Sequence, residues 1–200
     1  SLARNFSYAM MRDSAMGVRR DATLASRKEF VMSTRRLTLT ALMAALVFVL
    51  TVVVRLPTAA GGYLHFGDAA IAFSAVAFGP WVGAVAGALG TGLADLYGGY
   101  PQFAAISFLV HGLQGWLMGW LMQRRLSTTK AILAVIAGGA VVVAGYFLAE
   151  VIFYGAAAAL SEVLPNTLQG LVGGALGVSL YLAVKRAYPP ITRYREQERR

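Results

Sequence analysis

Residues 66–97 read FGDAAIAFSAVAFGPWVGAVAGALGTGLADLY, 32 residues with two carboxylates and no basic side chain. A bilayer core about 30 Å thick is crossed by about 20 apolar residues of helix. The block is therefore too long for one span. Gly79-Pro80 divides it, because proline has no N–H to donate, clashes with the carbonyl four residues back and pushes the residue before it out of the helical region. The expectation is two helices, over 67–79 and 80–97, the first short enough to lie tilted or only partly in hydrocarbon.

Working outward, apolar blocks of spanning length cover 37–56, 102–123, 130–154 and 165–184. The segment PTAAGGYLHFGD (57–68) reads as a loop, QRRLSTTK (123–130) as a basic connection, and AAAALSEVLPN (156–166) as the loop leading to the last span. The composition agrees. Apolar residues make up 58% and charged residues 14%, where a soluble domain has roughly 45–50% and about 25%. The net charge of +9 sits at the ends. Residues 1–36 hold eight Lys/Arg and three Asp/Glu, residues 185–200 six and two, and the residues between four of each sign. Basic tails alone fit nucleic-acid binding, but such binding leaves the neutral apolar middle unexplained. The fold class read here is an all-α integral membrane protein, a six-transmembrane-helix bundle. It divides into a basic N-terminal extension or leader (1–32), a membrane domain (33–186) and a basic cytoplasmic tail (187–200).

Six helices place both termini on one side. Arg35-Arg36, the 123–130 connection and Lys185-Arg186 then all fall on that side, which positive charge marks as cytoplasmic. The opposite face carries Arg55. Glycines four apart (Gly79, Gly83, Gly87; Gly115, Gly119; Gly170, Gly174) let helices approach closely in lipid. Ala41 and Ala45 form a similar pair on helix 1.

Charged side chains inside spans are costly and usually functional. Asp95, Glu150 and His111 lie in the outer halves of their helices, Asn166 and Gln169 share a face at the start of helix 6, Asp68 opens helix 2, and Tyr63, Tyr97, Tyr100 and Tyr154 map near the outer face. Together they read as an outward pocket with aromatic walls and a few hydrogen-bonding groups. Each also has a plainer reading: Asp68 and Asn166 as helix caps, the tyrosines as an interfacial belt, His111 as an interhelical hydrogen-bond partner, Asp95 as a helix end in water. With no cysteine, disulfides and thiolate chemistry are excluded. His65 and His111 are too few and too far apart in sequence for a His-rich metal site. No catalytic triad spacing, zinc-protease motif or phosphate-binding loop is present, so no enzyme, cofactor or metal is expected.

GGYLHFGDAAIAFSAVAFGPWVGAVAGALGTGLADLYGGYPQF (61–103) and LPNTLQGLVGGALG (164–177) resemble the S components, the substrate-binding membrane subunits, of energy-coupling factor vitamin transporters. The resemblance runs from about residue 33 to 186. It implies a six-helix subunit in a prokaryotic cell membrane that captures a vitamin or precursor from outside. ATP hydrolysis falls to a separate module of one coupling membrane protein and two cytoplasmic ATPases. It implies docking on the coupling protein through Ala41 and Ala45, and toppling of the whole subunit to deliver its cargo. The substrate site read from these polar and aromatic residues is Tyr63, Asp68, Asp95, Tyr97, Tyr100, His111, Glu150, Asn166 and Gln169. Where His111 stands, related sequences often carry lysine, which implies a different ligand. Riboflavin, hydroxymethylpyrimidine and pyridoxine-like compounds are the heterocycles in view. A stand-alone proton- or ion-coupled carrier using Asp95, His111 and Glu150 as a relay is the alternative.

Overall fold

The computed structural model describes residues 34–58, 62–123 and 126–197. The extension expected over 1–32 and the arginines at 124 and 125 lie outside them. The chain divides into two compact units, Ser1–Thr38 and Leu39–Arg200. Of the first, the described part is the opening turn of helix α1, where the Thr38 hydroxyl donates to the Thr34 carbonyl at 2.9 Å. Everything below concerns the second.

The helices are α1 (Thr34–Val53), α2 (Gly67–Phe78), α3 (Pro80–Gly98), α4 (Pro101–Met122), α5 (Thr128–Tyr154), α6 (Ala156–Ala187) and a short α7 (Thr192–Gln197). Four of them, α1, α4, α5 and α6, are long and apolar enough to cross a membrane. This is an all-α membrane protein. Proline opens α3 and α4, where a missing N–H costs nothing. Ser127 caps α5 by accepting the Lys130 amide at 3.2 Å, and Lys185 and Arg186 close the last turn of α6, where the helix dipole favours cations.

The sequence division at Gly79-Pro80 is where the chain turns. Gly79 has φ +96° and ψ 176°, an essentially glycine-only conformation that costs a residue with a Cβ about 1–3 kcal/mol. α2 is buried along almost its whole length and packs against α3, α4 and α6. At 12 residues it rises only about 18 Å, so its first turn, with Asp68, lies inside the bundle rather than at its rim. Apolar side chains follow from there. Phe73, Val76 and Phe78 of α2, Met118 and Met122 of α4 and Tyr181 of α6 form one core at the ends of those helices away from Asp68.

Glycine sets the closest seams. A Cβ on Gly119 would come within 2.6 Å of Pro80 Cα, and one on Gly170 within 2.7 Å of Gly139 Cα. Gly115 likewise faces the backbone of Gly83. The four-residue spacing therefore serves packing within this chain. Ala41 and Ala45 are exposed on α1, while Val47 is buried against Ala70, Ile71 and Ala86.

Two expectations are corrected. Residues 57–68 are not simply a loop. Strand β1 (Arg55–Pro57) pairs antiparallel with β2 (Tyr63–His65), with Leu56 opposite Leu64. Nor does the last long helix begin at 165. The break falls at Gly155, with φ +87°, and α6 then runs unbroken through Pro165 for 32 residues. Proline removes one hydrogen bond to the preceding turn. Beside it the Ser161 hydroxyl bonds back to the Ala158 carbonyl and the Thr167 hydroxyl to that of Val163, and neighbouring helices hold the segment in place, as is usual for prolines in membrane helices.

Candidate functional site

The β1–β2 hairpin supplies one wall. Strands of three residues are marginal by themselves, and this pair is held from three sides. The Tyr63 hydroxyl donates to Asp95 Oδ1 at 2.5 Å. The His65 amide donates to Gln169 Oε1 at 3.0 Å. Arg55 donates to the carbonyls of Ala94 (3.0 Å) and Thr51 (3.2 Å), and its guanidinium lies 4.7 Å from the centre of the Tyr63 ring, a cation–π contact. Burial, and then the Asp95 charge, push the Tyr63 phenol well above its ordinary value, so it stays a donor. Burial, and then His111, hold the His65 imidazole well below its usual value.

Beneath the hairpin runs a buried polar layer. His111 Nδ1 lies 2.8 Å from Gln114 Oε1 and 3.3 Å from Asp68 Oδ1. Both are acceptors, so Nδ1 carries the proton. Gln114 Nε2 donates to Asp68 Oδ2 at 3.2 Å. On the other side Tyr146 donates to His111 Nε2 at 3.2 Å and sits 2.6 Å from the Ser107 hydroxyl. Asp68 thus spends its carboxylate on His111 and Gln114. It does not cap α2, which has no side-chain cap, although its place in the first turn suits the helix dipole. Asn166, the other expected cap, is inside α6.

Between hairpin and layer lies a narrow cleft with a cavity volume of about 30 Å3. Tyr63 and His65 line it from β2, Asp95 from α3, and Tyr100, Phe103 and Ser107 from the start of α4 and the turn before it. Tyr146 and Glu150 line it from α5, and Glu162, Asn166 and Gln169 from α6. The Tyr63 and Tyr100 rings are 5.0 Å apart. Of the residues expected at a pocket, six line it: Tyr63, Asp95, Tyr100, Glu150, Asn166 and Gln169. His111 and Asp68 lie fully buried in the layer below. Tyr97 is elsewhere, 74% exposed and edge-on to Phe48. Two helical residues on from Asp95, it sits about 200° around α3 and cannot share its face. Tyr154 packs on Phe103 and Phe153.

Six lining residues escaped the sequence reading: Gly62, His65, Phe103, Ser107, Tyr146 and Glu162. Glu162 was hidden by the misplaced start of α6. Tyr146 was a lone polar group in an apolar helix. The hairpin carries His65 to within 5.3 Å of the His111 ring, although 46 residues separate them in sequence. His65, Asp68 and His111 place ligating atoms within 4.8 Å of one another. Their nitrogens are committed, however. His65 Nδ1 accepts the Gly67 amide at 3.1 Å, and both His111 nitrogens are taken as above. His65 Nε2 faces the Gln169 amide nitrogen at 3.4 Å and Asp68 Oδ1 faces His111, so these residues leave fewer than the three free protein ligands that hold even a catalytic zinc.

Residues 31–186 match the model of the family described as ECF-type riboflavin transporter, S component. A Pyrococcus woesei protein titled "Uncharacterized protein in gap 3'region" is 36% identical over 146 residues, 72% of this chain and 98% of that one. The thiamine precursor transporter HmpT of Lactococcus lactis subsp. cremoris (strain MG1363) is 30% identical over 154 residues, 76% of this chain and 89% of the relative. An apolar helical bundle with one polar cleft, matched by that model over its entire membrane part, belongs to the ECF-type riboflavin transporter S component family.

Proposed function

We propose that this vitamin- or precursor-binding subunit captures a small aromatic heterocycle in the cleft between the β1–β2 hairpin and the His111 layer, and hands it to an ATPase-coupled module. The observation that carries the reading is the cleft itself: aromatic rings on two walls, polar groups converging from five elements, and a hairpin tied across it by Tyr63 and Asp95. Rings give contact area, and the carboxylates and amides read ring nitrogens and hydroxyls. Tyr63, Asp95, Tyr100, Glu150, Asn166 and Gln169 touch the ligand in this reading, while Asp68 and His111 position the walls. In a six-span arrangement in a prokaryotic cell membrane, with both termini cytoplasmic, the cleft opens outward. Two features favour that orientation: the basic clusters all fall on one side, and Asp95, Glu150 and Gln169 fall at the other. Exposed Ala41 and Ala45 then meet the coupling subunit.

Mass spectrometry of small molecules that co-purify with the protein in mild detergent tests capture and names the ligand. The expected result is one heterocycle near stoichiometric amount. Uptake by whole cells tests coupling: loss on ATP depletion with the proton gradient clamped supports the ATPase module. Loss on gradient collapse with ATP intact would instead favour an ion-coupled carrier.

A further inference from the structure

The cleft is acidic. Asp95, Glu150 and Glu162 line it, and no lysine or arginine does among the described residues. Asp95 is 4% and Glu150 5% exposed. One oxygen of each, Asp95 Oδ2 and Glu150 Oε2, is buried without a hydrogen-bond partner. The nearby cation, Arg55, does not line the cleft and donates to the Thr51 and Ala94 carbonyls, and the His65 ring accepts a backbone amide. A buried carboxylate oxygen left unpaired is expensive; the Ser107 hydroxyl is near Asp95, and no basic side chain lines the cleft among the described residues to pair either oxygen.

Resting on the capture reading, we infer that the ligand completes them: the cleft selects a cationic, N–H-rich aromatic heterocycle, with Glu150 as the main specificity-determining residue. The surroundings fit that chemistry. Tyr63, Tyr100, Phe103 and Tyr146 offer ring faces, which attract a delocalised cation. A protonated amino-heterocycle presents parallel N–H donors of the kind that pair strongly with carboxylate. A carbonyl-rich neutral ring would bring acceptors to acceptors, and a phosphate ester would bring like charge to three acids.

The test uses the full chain in detergent, freed of co-purified ligand, titrated calorimetrically with three probes. These are thiamine (a fixed cation bearing an aminopyrimidine), riboflavin (neutral and carbonyl-rich) and riboflavin 5′-phosphate (an anion). Thiamine is expected to bind at least about tenfold tighter than riboflavin, the phosphate weakest of the three. Glu150→Gln should weaken thiamine by about tenfold or more, and Glu150→Asp, which keeps the charge, should recover part of the loss; a tenfold change is about 1.4 kcal/mol. The wild-type ranking decides the matter even if the glutamine variant folds poorly. Riboflavin binding tighter than thiamine overturns the inference and leaves capture standing. Binding of none of the three, with no heterocycle co-purifying, overturns both.

Discussion

At the scale of single residues, the Tyr63–Asp95 bond connects the hairpin to α3. Replacing Tyr63 with Phe leaves Asp95 Oδ1 without that donor in a largely buried site and should cost about 1–3 kcal/mol of stability, read as a lower melting temperature in detergent. Asp95→Asn should weaken ligand binding by about tenfold or more in titration of the purified protein. Unchanged affinity with lower stability would make Asp95 purely structural. His65 gives a pH signature. Its folded-state pKa lies well below 6.5 because of burial, then His111 and Arg55, so the unfolded chain binds the proton more readily. Its contribution is full above pH 6.5 and is lost as pH falls, by up to about 1.4 kcal/mol per unit. Melting curves at pH 7.5 and 5.5 should show His65→Gln losing less stability on acidification than the wild type. None of the bonds made by His65 was legible in the sequence, because they depend on strands too short to leave an alternating pattern. His111, Gln169 and Asp95 were legible as anomalies, being polar groups in apolar blocks.

At the scale of elements, α2 to α4 follow the sequence closely, because Gly79-Pro80 and the Gly-Gly-Tyr-Pro turn act locally on the backbone. α6 does not follow it. Pro165 is a breaker in water, but inside a packed bundle its lost bond costs less than ending the helix would. The real boundary is Gly155, an unremarkable glycine in sequence whose positive φ of +87° only the structure reveals. Close packing on glycine makes a sharp prediction. Gly115→Ala would drive a methyl into the Gly83 backbone, and overpacking of this sort costs about 1–3 kcal/mol. Thermal unfolding should show the loss, whereas Gly99→Ala meets no atom within 4 Å and pays only for its φ of +84°.

At the scale of the whole molecule, substitutions at Ala41 and Ala45 offer a test that separates the proposed capture from the proposed delivery. Tryptophan at either position adds bulk to an exposed face of α1 that is not part of the cleft. Ligand affinity should stay within about twofold (under about 0.5 kcal/mol), while cellular uptake through the coupling module falls by about tenfold or more. Equal loss of both would place α1 in the binding site instead. The half-length helix α2 has one more consequence. Below Asp68 the bundle is filled, among the described residues, with Phe73, Val76, Phe78, Met118, Met122 and Tyr181, and a core of such side chains leaves little room for water or ions to pass. The polar layer is the floor of a cul-de-sac. In the capture reading a cargo molecule is expected to leave by the mouth it entered, and a cell that makes this subunit in excess of its proposed partners is expected to keep its ion gradients, because a vessel closed at the bottom does not leak.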